Sequence, residues 1–237
     1  MKQLCVFLSA FLLFTLVGCN NIEISNSTKA DITDFTAWLD NEGFVPMMSQ
    51  SEMIAKMDSY TYNGQSVHYA TAGCYYDSEY GGGYFANGEN FDFANDYKRS
   101  EDKKTADYTN SFYTKVPLDG LTLPLGIEFE DTLRDVMAKL GMTVDLPSDF
   151  IPDEGTDVTM TLYKDERYTL VFKNLYLSKE QIKVDVPYEL VFTENYTFTQ
   201  ESGRESNVTR TIKLTFASDE NMLHEFSVLV RDNYKLK

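Results

Sequence analysis

The sequence predicts an α+β fold in which a C-terminal helix packs on an antiparallel β-meander, beside a smaller N-terminal helix-plus-hairpin region. Three observations carry that reading. Five runs between Val158 and Val230 alternate apolar and polar residues, the period of a sheet with one wet face. Apolar residues recur at helical spacing in three places. Asn63-Gly64 separates two short strand-like runs, and both residues tolerate the positive φ that a tight hairpin needs. With 43% hydrophobic and 14% aromatic residues, the 237-residue chain has material for a sizeable core. Its net charge of −16 excludes a nucleic-acid partner, whose phosphates would be repelled.

The N-terminus reads as an address. Lys2 precedes an apolar run from Leu4 to Val17, shorter than the about 20 residues of a spanning helix and suited to a secretory signal. Leu16-Val17-Gly18-Cys19 follows directly and resembles the bacterial lipobox. The resemblance implies cleavage before Cys19, diacylglycerol on its sulfur, and a protein anchored in the cell envelope, facing outside the cytoplasm from the outer membrane or the outer face of the cell membrane. Residues 1–18 are then the signal peptide and 19–29, polar and rich in Asn and Ser, the tether. Cys74 is the one cysteine left in the body, so no internal disulfide is expected. Its apolar surroundings suit a small buried side chain rather than a nucleophile.

Residues 30–116 form the expected N-terminal region. Ile32, Phe35, Trp38 and Leu39 define one helix stopped at Gly43, and Ser49 with Glu52 makes a capping box for a second that carries Met53, Ile54 and Met57. The hairpin at Asn63-Gly64 follows, and its second strand is expected to continue towards Tyr76. Between Tyr75 and Tyr113 stand 11 Tyr or Phe residues, with Gly81-Gly82-Gly83 and the charged run Lys98–Lys104. This segment suits a long functional loop, an irregular hairpin or a partly disordered stretch.

Residues 117–237 form the expected C-terminal domain. Thr132 and Asp135 stand in capping-box spacing ahead of Leu133, Val136, Met137 and Leu140, with Gly141 as the stop. The strands are expected at Val158–Tyr163, Tyr168–Phe172, Tyr188–Phe198, Val208–Phe216 and Leu223–Val230, with Arg210, Ile212, Leu214 and Phe216 on one face. The stretch Leu123–Gly141 resembles the helix entry of SmpA/BamE-type outer-membrane lipoproteins and of β-lactamase-inhibitor-protein-like modules, through Gly126, Asp131 or Thr132, the apolar helix face and Gly141. That resemblance covers 19 residues and implies a protein-binding module without catalytic residues.

No motif for catalysis, a metal or a cofactor emerges. His68 and His224 are far apart and no His-Glu-x-x-His, Walker or Gly-x-Ser-x-Gly pattern occurs. Ser100-x-x-Lys103 lies in a charged run without an apolar helix face. Asp145, Asp149, Asp153, Glu154 and Asp157 match no EF-hand spacing and read as a solvated loop. The expected function is therefore a non-catalytic, lipid-anchored envelope module that binds another protein or serves assembly, reaching the membrane through the Cys19 lipid. The alternative is a surface lipoprotein that binds a glycan or small ligand on Tyr75, Tyr76, Tyr80, Tyr84 and Phe85, rings able to stack on sugar faces.

Overall fold

The computed structural model describes residues 21–22, 30–42, 44–45, 48–70, 74–75, 84–87, 90–100, 102, 104–141, 158–174, 188–199, 203–216 and 222–235. The lipobox, Tyr76, Tyr80, Gly81–Gly83 and the acidic loop 145–157 lie outside them.

The fold is α+β and dominated by strand. In chain order it contains β1 (Asn21–Ile22), α1 (Thr33–Asn41), α2 (Gln50–Asp58), β2 (Thr61–Tyr62), β3 (Gln65–Ser66), α3 (Val67–Ala70), β4 (Cys74–Tyr75), β5 (Tyr84–Asn87), β6 (Phe91–Arg99) and β7 (Thr105–Thr114). A 3-10 turn at Pro124–Gly126 leads to α4 (Leu133–Lys139), then β8 (Val158–Lys164), β9 (Tyr168–Asn174), β10 (Tyr188–Thr199), β11 (Glu205–Phe216) and β12 (Leu223–Lys235). Ten strands form one sheet in the order β1-β8-β9-β10-β11-β12-β7-β6-β5-β4, antiparallel except where β1 joins β8 in parallel. Part of the expected tether, Asn21–Ile22, is thus an edge strand. The five expected C-terminal strands are all present, each extended by one to five residues.

Local chemistry explains the boundaries. Ser49 and Glu52 close a reciprocal capping box on α2, and Thr132 and Asp135 do so on α4. Thr132 is therefore the cap, while Asp131 accepts Glu128 N at 2.7 Å and Lys139 Nζ at 2.5 Å. Asn63 and Gly64 take φ of 51° and 77°, the left-handed turn their identities predicted. The strand after them does not run on to Tyr76. It stops at Ser66, whose hydroxyl accepts His68 N at 3.2 Å and donates to Asp58 at 2.6 Å, nucleating α3.

Among the described residues of the aromatic segment 75–113, most are in strand, with β6 and β7 paired as a hairpin, the second of the three expected forms. Of the charged run, Lys98 and Arg99 end β6, and beyond them Ser100 Oγ donates to Asp102 at 2.7 Å and accepts from Thr105 N at 3.0 Å at the start of β7. β7 then pairs with β12, so residues on either side of 116 share one sheet.

The inner face of the sheet is banded. Its first row runs Phe172, Leu190, Leu214, Phe226, Thr114 and Phe91, and its second Leu170, Phe192, Ile212, Val228, Phe112 and Phe93. All are buried, and α1, α2, α3 and α4 each add side chains to the same core. Phe35 stacks on Phe192 at 5.1 Å, Trp38 meets Phe226 edge-on at 5.2 Å, and Phe44 stacks on Phe112 at 5.8 Å. The third row turns polar: Tyr168, Glu194, Arg210, Val230, Asn110 and Asn95. The α1–α2 connection crosses here, and its carbonyls need donors. Asn110 supplies Val45 O at 2.9 Å, and Asn95 and Tyr108 both donate to Met48 O.

Gly120 fixes how the chain enters the C-terminal half. Asp119 and Thr61 exchange two backbone bonds of 3.0 Å, and Gly120 follows at φ +89° with Ser59 O 2.7 Å from where a Cβ would stand. Gly120→Ala is expected to cost about 2 kcal/mol, against about 1 for Gly203→Ala, whose Cβ would meet open space at φ +74°. Urea midpoints of the two variants check the ordering.

Candidate functional site

Two regions of the sheet merit chemical scrutiny. The first is its outer face, made by the odd positions of β7, β10, β11 and β12 and the even ones of β6. The central row reads Thr169, Thr193, Thr211, Leu229, Ser111 and Ala94, four short hydroxyl side chains and one methyl around a leucine that is 40% exposed. The described helices all add side chains to the core on the other side, and Val191, a buried apolar residue on this face, stands apart from the core cluster. Six bases (Lys98, Lys164, Lys173, Lys213, Arg231, Lys235) share the face with six acids (Asp92, Asp96, Asp107, Glu189, Glu205, Glu225). The face is electrically balanced on a chain whose net charge is −16.

The second is a buried charge network in the third inner row. Glu194 is fully buried; Arg167 reaches its Oε1 from Nε at 2.8 Å and Nη2 at 2.5 Å, and Arg210 Nε reaches its Oε2 at 2.5 Å. Arg210, 4% exposed, also donates to the exposed Asp40 of α1 at 2.5 Å, tying helix to sheet. Burial alone would draw the Arg210 guanidinium down, but the Asp40 bond and the Glu194 charge hold it above its ordinary range. The Arg167 guanidinium sits 5.2 Å from both the Tyr168 and Tyr196 rings. Both Glu194 oxygens are committed to guanidinium donors, so this carboxylate presents no lone acid or base to a substrate.

The residues singled out by sequence are dispersed. Tyr75 of β4 pairs with Phe85 of β5, and Tyr84 pairs with Asn95 of β6, which places these three at one end of the sheet. Tyr76, Tyr80 and Cys19 lie outside the described residues. Cys74 pairs with Ala86 in that edge. His68 Nδ1 lies 3.4 Å from Asp58, and His224 is exposed at the start of β12. Among the described residues no group of three or more metal-binding side chains gathers, and no helix is long and apolar enough to cross a membrane.

Glu194 was open to detection by parity. In Leu190, Phe192, Glu194, Tyr196 it takes a core position of the alternation, as Arg210 does on the neighbouring strand, and an acid and a base at core parity are mutual candidates. No family model, curated protein or solved structure matches this chain.

Proposed function

We propose that the chain is a lipid-anchored, extracytoplasmic protein of the bacterial cell envelope that works without catalysis, as a protein-binding or envelope-assembly module. Leu16-Val17-Gly18-Cys19 supports the anchor and its location. In this reading the meander with α4 is a rigid scaffold, and the N-terminal helix-plus-hairpin region covers its inner side.

The observation that carries the binding role is the balanced outer face. Six strands at about 4.8 Å spacing and roughly 30 Å of length present about 800 Å², the contribution of one partner to a standard interface. On a strongly acidic molecule, a face with equal numbers of acids and bases is where a second acidic envelope protein meets least repulsion. Its Thr and Ser hydroxyls supply hydrogen bonds around the Leu229 side chain.

A photo-crosslinking residue placed at Thr211 or Leu229 in the membrane-anchored chain is expected to give a discrete protein adduct in its own envelope. The same residue at Ala138, exposed on α4, is expected to give none. Silence from both outer-face positions would remove the docking role. Cys19→Ser is expected to abolish labelled palmitate incorporation and release the protein from membranes; persistent labelling would overturn the anchor.

A further inference from the structure

The outer face of the sheet can be matched against itself. Two copies of a chain with net charge −16 repel one another, and least so where acids and bases balance, as they do six to six on this face. A contact between identical chains closes when one two-fold axis sets each residue against a suitable partner. The strand register decides which axis does so. The Leu229 row is followed, one step along the strands, by the row of Thr209, Arg231, Thr109 and Asp96. An axis parallel to these rows and midway between them lays each strand over its own counterpart, running the opposite way, within the about 30° of aligned sheet packing.

On β12, Leu229 then meets the aliphatic stem of Arg231, and Glu225 meets Lys235. On β6, Asp92 meets Lys98. Thr211 meets Thr209 on β11, and Ser111 meets Thr109 on β7, hydroxyl to hydroxyl. Each contact occurs twice, so the two charge pairs become four. No like charges oppose one another at the described outer positions of β6, β7, β10, β11 and β12. An axis on the Leu229 row itself would set Asp92 against Asp96. The placement of β1 selects the same axis independently. Asn21–Ile22, just after Cys19 in the sequence, pairs with β8 at one end of the sheet. An axis along the rows keeps that end in place, so both Cys19 lipids leave the pair on one side and can enter one membrane. An axis along the strands would send them to opposite ends.

We propose that the partner on the outer face is a second copy of this chain, held in a symmetric dimer by the Glu225–Lys235 and Asp92–Lys98 contacts. This dimer presupposes the docking role and the lipid anchor proposed above and names the occupant of the face. The about 800 Å² from each copy sums to about 1,600 Å², the size of a standard specific interface. The two-fold axis stands along the membrane normal, with both β8 edges towards the membrane and the helices of the two copies on the outside.

The test uses a photo-crosslinking residue at Thr211 in the full lipid-anchored chain, in its own envelope, with adducts identified by mass spectrometry. An adduct of twice the chain's mass is expected, joined to outer-face residues of a second copy. Glu225→Lys and Lys235→Glu are each expected to lower its yield tenfold or more. Co-expressing the two variants is expected to restore it, because each then offers the charge that the other opposes. Net repulsion alone predicts the reverse for Glu225→Lys, which makes the chain less acidic. Glu130→Lys, an exposed change of the same sign away from this face, is expected to leave the yield intact. Far-ultraviolet circular dichroism confirms folding, and Lys235→Glu and Lys98→Glu, both at exposed positions, carry the test if Glu225→Lys does not fold. Adducts to a different protein, with none to a second copy, overturn the dimer and leave the docking reading standing. Silence removes both. A self-adduct that folded reversals leave undiminished overturns the arrangement.

Discussion

Glu194→Gln is expected to destabilise the protein by about 3 kcal/mol, because it strips a buried arginine of its main counter-charge. Arg210 is 4% exposed and keeps only the peripheral Asp40, while Arg167 loses an anchor but remains half in solvent. Arg210→Met is expected to cost a similar amount by leaving Glu194 with the exposed partner alone. The double variant should cost less than the sum by about 2 kcal/mol or more, since it removes both buried charges together. Urea unfolding followed by fluorescence of Trp38, the single tryptophan, measures all four corners of the cycle. Additive losses would mean that the two residues act separately.

The second large effect is at Phe112. Its ring lies 4.5 Å from Phe93, 5.8 Å from Phe44, 6.0 Å from Tyr60 and 6.4 Å from Phe226, so one side chain joins β6, the α1–α2 connection, the link from α2 to β2, and β12. Phe112→Ala is expected to cost about 3–5 kcal/mol, the transfer of the ring plus the cavity it leaves. Because the residues on either side of 116 share this core, the loss should lower one cooperative transition rather than detach one part. Trp38 fluorescence and far-ultraviolet circular dichroism are expected to coincide in the variant as in the parent. Two separated transitions would show that the halves hold independent cores.

Local signals were the ones that the sequence revealed best. Capping boxes at Ser49 and Thr132, the Asn63-Gly64 turn and the alternation of β8 to β12 depend on neighbours within a few residues, and each is present. The failures share a different cause. α3 replaces a strand because Ser66 accepts His68 N, a side-chain choice that periodicity does not register. The strands inside 75–113 were hidden by Asn, Asp and Gly, residues that ordinarily mark loops; Asn95 and Asn110 are on strands because the α1–α2 connection needs their donors. The outer face was anticipated only as wet, since its charge balance depends on strand order. The Tyr75–Phe85 candidates came from composition alone. Asp232, buried on the inner face, went unnoticed because one acid in a long strand looks like an ordinary surface residue until the register turns it inward.

The pairing of β7 with β12 has a consequence for the order in which the chain is made. Tyr113 pairs with Ser227, more than a hundred positions later, whereas β10, β11 and β12 are neighbours joined across only five and six residues. Ribosomal synthesis delivers the β6–β7 hairpin long before its partner, leaving the β7 edge open to any passing strand. Asp107, Asn110 and Thr109 on that edge are poor material for an aggregating template, and they guard it during the wait. Closure by β12 pairs residues 112 to 130 positions apart, far more than any hairpin of the sheet, which makes it a natural slow step of folding. A chain interrupted before Leu223 would keep its hairpins and lack the strand that binds them together.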